Sequence, residues 1–381
     1  MTQKDIDLAL KSLDVDRFWA DDKLAHEENC FSKQAPQVAL GIRMSDECVF
    51  AELGEPGQPW GHTPWDRRNE LNRRYNDKAE RMVGIRLLRE DYRPPEEGFL
   101  PCRQIGEVFG GEYLFDGQTT WLKGHCTTPR ELEAALDRVD RLDFEDFVLP
   151  NGWEERKRQV YEATGRRPSP FGGVRGPVTL ACSLCGAENF IYMLYDEPEL
   201  CARFRDTITR VILSYIRLFA REAGYPQGQL PRGFGFNDDD CCLLTPELYE
   251  QFGYPILKEV FDTVSPLPGG GRYQHSDSAM EHLLPVLGRL KLEGCNFGPT
   301  VSVRAIREYM PNTRIDGQLA PFTFMNNDTA AIFDEVARDC QMAREGDARG
   351  LNLTTAGSIN NGSLLSSMRA VMAAIQMFGR Y

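Results

Sequence analysis

Gly233-Phe234-Gly235-Phe236-Asn237, then Thr245-Pro246-Glu247, then Arg272-Tyr273-Gln274-His275: this succession decides the fold. The outer two stretches are short apolar and aromatic runs closed by a polar residue, as strands are. Between them Thr245 supplies a helix N-cap, Pro246 the first helical position and Glu247 an acid for the positive first turn. Strand, helix and strand in that order make a βαβ unit with parallel strands. The alternation continues on both sides, with candidate strands at Gly176-Pro177-Val178-Thr179-Leu180-Ala181, Leu292-Glu293-Gly294-Cys295-Asn296, Arg314-Ile315-Asp316-Gly317-Gln318-Leu319 and Gly350-Leu351-Asn352-Leu353-Thr354-Thr355.

The helices between them are well specified. From Leu200 the residues Phe204, Ile208, Val211, Ile212, Tyr215, Ile216 and Phe219 keep helical spacing, and Pro198 separates this helix from one over Glu188 to Tyr195. The last helix carries Leu364, Leu365, Met368, Val371, Met372, Ile375 and Phe378 as a core stripe and ends at Gly379. In the first third, Val38-Ala39-Leu40-Gly41-Ile42 and Met82-Val83-Gly84-Ile85-Arg86-Leu87-Leu88 read as two further strands. Two early and six later candidates make the eight strands of a single (β/α)8 TIM barrel. The expected plan is α/β, with an N-terminal helical extension over 1–35 and the barrel over 36–381. An insertion around 54–125 would hold two Pro/Gly-rich loops, Gly54 to Trp65 and Tyr92 to Pro101, and a hairpin over Gly110 to Trp121 turning at Asp116-Gly117.

Composition narrows the function. The chain has 381 residues, 44 Lys+Arg against 57 Asp+Glu, and a net charge of −13, the wrong sign for a nucleic-acid binder. No apolar stretch approaches the ~18–20 residues of a membrane span, and the start lacks the apolar core of an export signal, so a cytoplasmic location is expected. Eleven irregularly spaced cysteines then imply reduced thiols. Cys182 and Cys185 have CxxC spacing without a matching second pair, and they read as packing residues, as do Cys241 and Cys242 if that segment is extended.

In a parallel α/β fold, chemistry gathers where strands end. His275-Ser276-Asp277 is the sharpest such signal: two residues apart on an extended segment, an imidazole and a carboxylate project to one side and can share a ligand, a proton or a metal ion. The alternative is that Asp277 caps a helix beginning near Ser278 and His275 is a core residue. Of the other histidines, His282 falls inside that following helix, and His26, His62 and His125 lie in weakly patterned regions. Asp238-Asp239-Asp240 closes the Gly233 strand, and three successive acids in a closing loop imply a raised pKa or a cationic partner for at least one. Asn296 and Gln318 can hold a carboxylate or amide, as can Arg43 and Tyr273; Cys295 reads as core, and Thr354 to Ser358 as a possible anion nest.

The run Gln274-His275-Ser276-Asp277, Cys295-Asn296-Phe297-Gly298-Pro299-Thr300, Asp316-Gly317-Gln318-Leu319 and Thr355-Ala356-Gly357-Ser358-Ile359 resembles the uroporphyrinogen decarboxylase-like superfamily. Gly176-Pro177-Val178-Thr179-Leu180-Ala181, Pro198-Glu199-Leu200 and Asp239-Asp240 with Thr245-Pro246-Glu247-Leu248-Tyr249 follow the same order upstream, so the likeness covers about 150 to 381 well. The resemblance implies one (β/α)8 barrel, often a homodimer, that works as a porphyrinogen decarboxylase or as a methyltransferase serving corrinoid proteins, thiols or folates. The decarboxylases carry an early Arg-Gln-Ala-Gly-Arg segment and a late histidine; here those places read Gly41-Ile42-Arg43-Met44 and Ala356. The thiol methyltransferases carry a zinc-binding His-x-Cys and a later Cys; here they read His275-x-Asp277 and again Ala356.

The leading expectation is therefore a methyltransferase moving a methyl group from a small methoxy-type donor to a corrinoid protein. Zinc or another metal would sit on His275 and Asp277, an acid among Asp238, Asp239 and Asp240 would assist, and Arg43, Tyr273, Asn296 and Gln318 would hold the substrate. No corrinoid-binding module is visible, so the corrinoid would come on a separate partner protein. A metal-free decarboxylase and a non-catalytic barrel subunit are the alternatives.

Overall fold

The structure is a computed structural model that describes residues 1–59, 63–94, 97–115 and 120–381. His62, the turn expected at Asp116-Gly117 and parts of the two Pro/Gly-rich loops lie outside the described residues. Among the described residues there are nine strands: β1 Ala39–Leu40, β2 Glu112–Phe115, β3 Thr120–Lys123, β4 Gly173–Arg175, β5 Phe234–Asn237, β6 Arg272–Ser276, β7 Gly294–Phe297, β8 Arg314–Leu319 and β9 Leu351–Thr355. All but β2 and β3 belong to one seven-stranded sheet, and β2 and β3 form the expected antiparallel hairpin. The fold is α/β.

The chain packs as two compact units. One comprises Met1–Tyr92, Ser276–Leu284 and Gly294–Tyr381. Its helices Gln3–Ser12 and Val15–Ala25 precede β1, which runs parallel to β9, and β9 and β7 flank β8. The helices Thr329–Arg344 and Leu365–Phe378 pack together, and Leu365, Met368, Val371, Met372 and Ile375 are fully buried. The other unit comprises Arg93–His275 and Pro285–Glu293. It holds the parallel run β4, β5, β6 and the long helix Pro198–Glu222. Phe204, Ile208, Val211, Ile212, Tyr215 and Ile216 of that helix are all buried, and at ~1.5–3 kcal/mol per large apolar side chain this stripe anchors it.

Two expected strands are not strands. Pro177–Cys185 is a helix, with Gly176 as N-cap and Pro177 at its first position; nearly every residue is buried, so its apolar run has no polar face to reveal the period. The strand there is the shorter β4 just upstream. Met82 and Val83 end the helix Trp65–Val83, which Gly84 terminates with a left-handed φ of 83°. Beyond it the backbone is held by a side chain rather than a ladder: Asn76 Oδ1 accepts from the amides of Leu87 and Leu88, and Asn76 Nδ2 donates to the Leu88 carbonyl. Among the described residues no single helix is long and apolar enough to cross a membrane; the bent pair Pro177–Cys185 and Ala187–Asp196 passes such a test only together.

Candidate active site

Strand register sets out the polar residues. β5 pairs Asn237 with His275 of β6, and β4 pairs Arg175 with Asn237. Along each strand alternate side chains are buried, Phe234, Phe236 and Gln274 among them, while Gly235, Asn237, Tyr273 and His275 occupy the less buried face. Arg175, Asn237 and His275 thus form a lateral row at the carboxyl ends of three neighbouring strands. Asn237 and Arg175 carry no motif of their own, so sequence reasoning missed both; Asn237 was visible as the polar residue closing its strand, whereas Arg175 stood before the strand expected at Gly176 to Ala181.

The three acids after β5 diverge. The Asp238 amide donates to the His275 carbonyl at 2.9 Å, which carries the ladder one residue further. The Asp238 side chain is wholly buried: Oδ1 accepts from the Thr179 amide at 2.8 Å, at the third position of the helix Pro177–Cys185, and among the described residues Oδ2 has no hydrogen-bond partner. Burial, reinforced by the charges of Asp239 and Asp240 and opposed by Thr179, pushes its pKa up to about 7. Space for it exists because residue 176 is glycine; a Cβ there would lie 2.1 Å from Asp238 Cβ. Asp240 is half-buried, its amide bonded to Thr179 Oγ1 at 2.9 Å, and burial and Asp239 raise its pKa while Arg175 opposes them.

Asp239 is the acid that meets the histidine. One ligand atom each of Asp239, His275 and Asp277 lie within 4.8 Å of one another. The relation of His275 to Asp277 is local, two residues apart where β6 ends, as the period-two argument requires. No helix begins at Ser278; the next helical turn is Glu281–Leu283, which also holds His282, so the capping role for Asp277 does not arise. Two glycines crowd Asp277 instead. A Cβ on Gly357 would stand 2.8 Å from Asp277 Oδ1, and one on Gly298 would stand 2.5 Å from the Asp277 carbonyl oxygen. The Thr354 to Ser358 segment therefore lies beside the Asp277 carboxylate.

One imidazole nitrogen and two carboxylate oxygens are ligand types that could hold a metal ion. The thiolates required for a soft site are absent from the group: Cys182, Cys185, Cys241 and Cys295 are buried and free. Cys241 and Cys242 sit on the helical turn Asp239–Leu243 rather than on an extended segment, so the opposite-face argument does not apply, although Cys241 is fully buried.

The expected substrate-holding residues have other partners. Arg43 Nη1 donates to the carbonyls of Leu40 and Ile42 at 3.2 and 2.8 Å, just past β1. Asn296 Nδ2 donates to the carbonyls of Asp316 and Thr355, bridging the middle of β8 and the end of β9. Gln318 Nε2 donates to the carbonyls of Gly298 and Val301, tying β8 to the turn after β7. Both amides brace the turns around Asp277. Tyr273 lies on the same face of β6 as His275.

Comparison with known proteins agrees with this architecture. No curated protein matches the sequence. The solved structure of a methyltransferase from Methanosarcina mazei aligns with a TM-score of 0.54 over 89% of this chain and 93% of that one, at 18% identity, which speaks for a shared TIM-barrel-like fold alone. The uroporphyrinogen decarboxylase (URO-D) family profile matches residues 156–377, which span β4 to the last helix and include Asp239, His275 and Asp277. Matched over more than half its length, this chain belongs to the uroporphyrinogen decarboxylase family.

Proposed function

We propose that this protein is a methyltransferase that takes a methyl group from a small methoxy-type donor and passes it to a corrinoid carried by a separate protein. The observation that carries the reading is the group Asp239, His275 and Asp277, a nitrogen and oxygen set with no thiolate. Such a set suits activation of an oxygen leaving group better than a thiol. Family membership supports it, as does the fold shared with a methyltransferase.

A divalent metal held by Asp239, His275 and Asp277 would supply Lewis-acid activation of the departing oxygen. The chain's own residues do the rest. Asn237, beside His275 in register, orients the donor, and Gly298 and Gly357 keep Asp277 aimed. Loss of the methyl group leaves an oxygen that needs a proton; in a metal-free site His275 is the group placed to give it. In the decarboxylase alternative Arg43 would grip a substrate carboxylate with the guanidinium N–H groups that its Nη1 bonds to backbone carbonyls leave over.

Elemental analysis of the native protein and turnover before and after chelation test the reading. About one divalent ion per chain and a loss of ~100-fold or more for His275→Ala are expected. Undiminished turnover after chelation together with less than ~10-fold loss for His275→Ala would overturn it. Carbon dioxide release from pyrrole carboxylic acids would point to the decarboxylase instead.

A further inference from the structure

A cavity of about 640 Å3 opens beside β4, within the range of small-molecule sites. Its wall includes Gly173 and Arg175 of β4, Asn237 of β5, Arg103, Tyr113 and Phe171. Two arginines line it, and among the described residues no Asp or Glu does, in a chain whose net charge is −13. Arg103 is engaged, paired with Glu107 at 2.9 Å and lying 4.8 Å over the Phe147 ring. Arg175 is half-buried; among the described residues its guanidinium forms no ion pair and donates to Ser183 Oγ at 3.2 Å, with the Asp240 carboxylate near enough to feel its charge but outside the cavity wall. A half-buried guanidinium facing a cavity whose described wall carries no acid is a site for an anion, since its fork matches a carboxylate or phosphate.

Register ties this cavity to the candidate active site. Arg175, Asn237 and His275 stand in one row, and the row below is Gly173, Gly235 and Tyr273. The two glycines leave that row without side chains on the cavity side of Tyr273. Arg175 and His275 are two strands apart, roughly 10 Å at ~4.8 Å per strand. Phe171, stacked on Tyr215 at 5.0 Å between ring centroids, gives the cavity a flat apolar wall.

We infer that Arg175 anchors the anionic group of the substrate, so that the substrate is a flat molecule carrying an anion about one ring's length from the group that reacts at His275. Arg175 is then the residue that determines specificity, and Asn237 spans the middle of the molecule. The anion site stands on its own geometry; only the assignment of the far end to the reacting group rests on the methyltransferase reading.

Calorimetric binding to the purified full chain separates the two. The probes are 4-methoxybenzoate, 4-methoxyphenyl phosphate and uncharged methoxybenzene, titrated into wild type, Arg175→Gln, Arg175→Lys and His275→Ala. At least one anionic probe should bind ~10-fold or more tighter than methoxybenzene to wild type and to His275→Ala, and Arg175→Gln should abolish that preference. The better of the two anions identifies the substrate as a carboxylate or a phosphate ester, and Arg175→Lys should keep part of the preference. Equal binding of charged and neutral probes by wild type overturns the inference without any variant, as does a preference that survives Arg175→Gln. Failure of methyl transfer with the anion preference intact would overturn the function proposed above and leave the anchor standing.

Discussion

Replacing Asp238 separates architecture from catalysis at this site. Its carboxylate takes the place of an N-cap from across the chain: Oδ1 accepts from the Thr179 amide at 2.8 Å, and Thr179 Oγ1 in turn accepts from the Asp240 amide at 2.9 Å. Asp238→Ala leaves a buried helix amide without an acceptor, a loss of about 1–3 kcal/mol on both the capping and the unsatisfied-donor scales. Relief of a desolvated carboxylate whose Oδ2 has no partner among the described residues works against that figure, so the lower half, about 1–2 kcal/mol, is expected. Asp238→Asn keeps an oxygen for Thr179 and should cost less than ~1 kcal/mol. Gly176→Ala attacks the same clamp from the other side. Its backbone, at φ −62° and ψ 156°, accepts alanine, so its effect comes from the Cβ set 2.1 Å from Asp238 Cβ, and overpacking of this kind costs ~1–3 kcal/mol. The assay is urea unfolding followed by circular dichroism, with turnover measured per folded molecule. Asp238→Ala and Gly176→Ala should lower the urea midpoint and leave turnover of the folded protein close to wild type. An unchanged midpoint for Asp238→Ala would refute the clamp, and loss of turnover in a stable Asp238→Asn would show that this carboxylate takes part in the chemistry.

Two further outcomes follow from the buried groups. His26 bonds to Asp22 and Cys30, and these raise its pKa from 6.5 to about 10, so its contribution to stability is fully present below pH 6.5 and is lost as pH rises through 10; the gap in melting temperature between wild type and His26→Gln should shrink over that window, and a gap that instead widens would refute the pairing. Of the eleven free cysteines only Cys102 and Cys242 are not buried, and burial still pushes the Cys102 thiol up to about 11; a thiol reagent should modify at most two groups in the native protein and all eleven in denaturant, whereas rapid native reaction of three or more would contradict the packing.

Local patterns in the sequence determined the alternation of strand and helix from residue 233 onward, the caps at Thr245 and Gly379, and the period-two pair His275 and Asp277, because each depends on neighbours within a few residues. The same reasoning misplaced Gly176 to Ala181 and Met82 to Leu88. In the first, a helix buried on nearly all sides shows no period; in the second, Met82 and Val83 finish the helix that holds Asn76, and the Asn76 side chain satisfies the backbone beyond it. Which of three adjacent acids meets His275, why Asn296 and Gln318 spend their amides on backbone carbonyls, and how Arg175 and Asn237 come to stand in line with His275 were decided by the tertiary structure alone. Those facts are properties of strand register and of loops packed across the sheet, and register links residues about 40 to 60 positions apart, 175 with 237 and 237 with 275, beyond the reach of any local pattern.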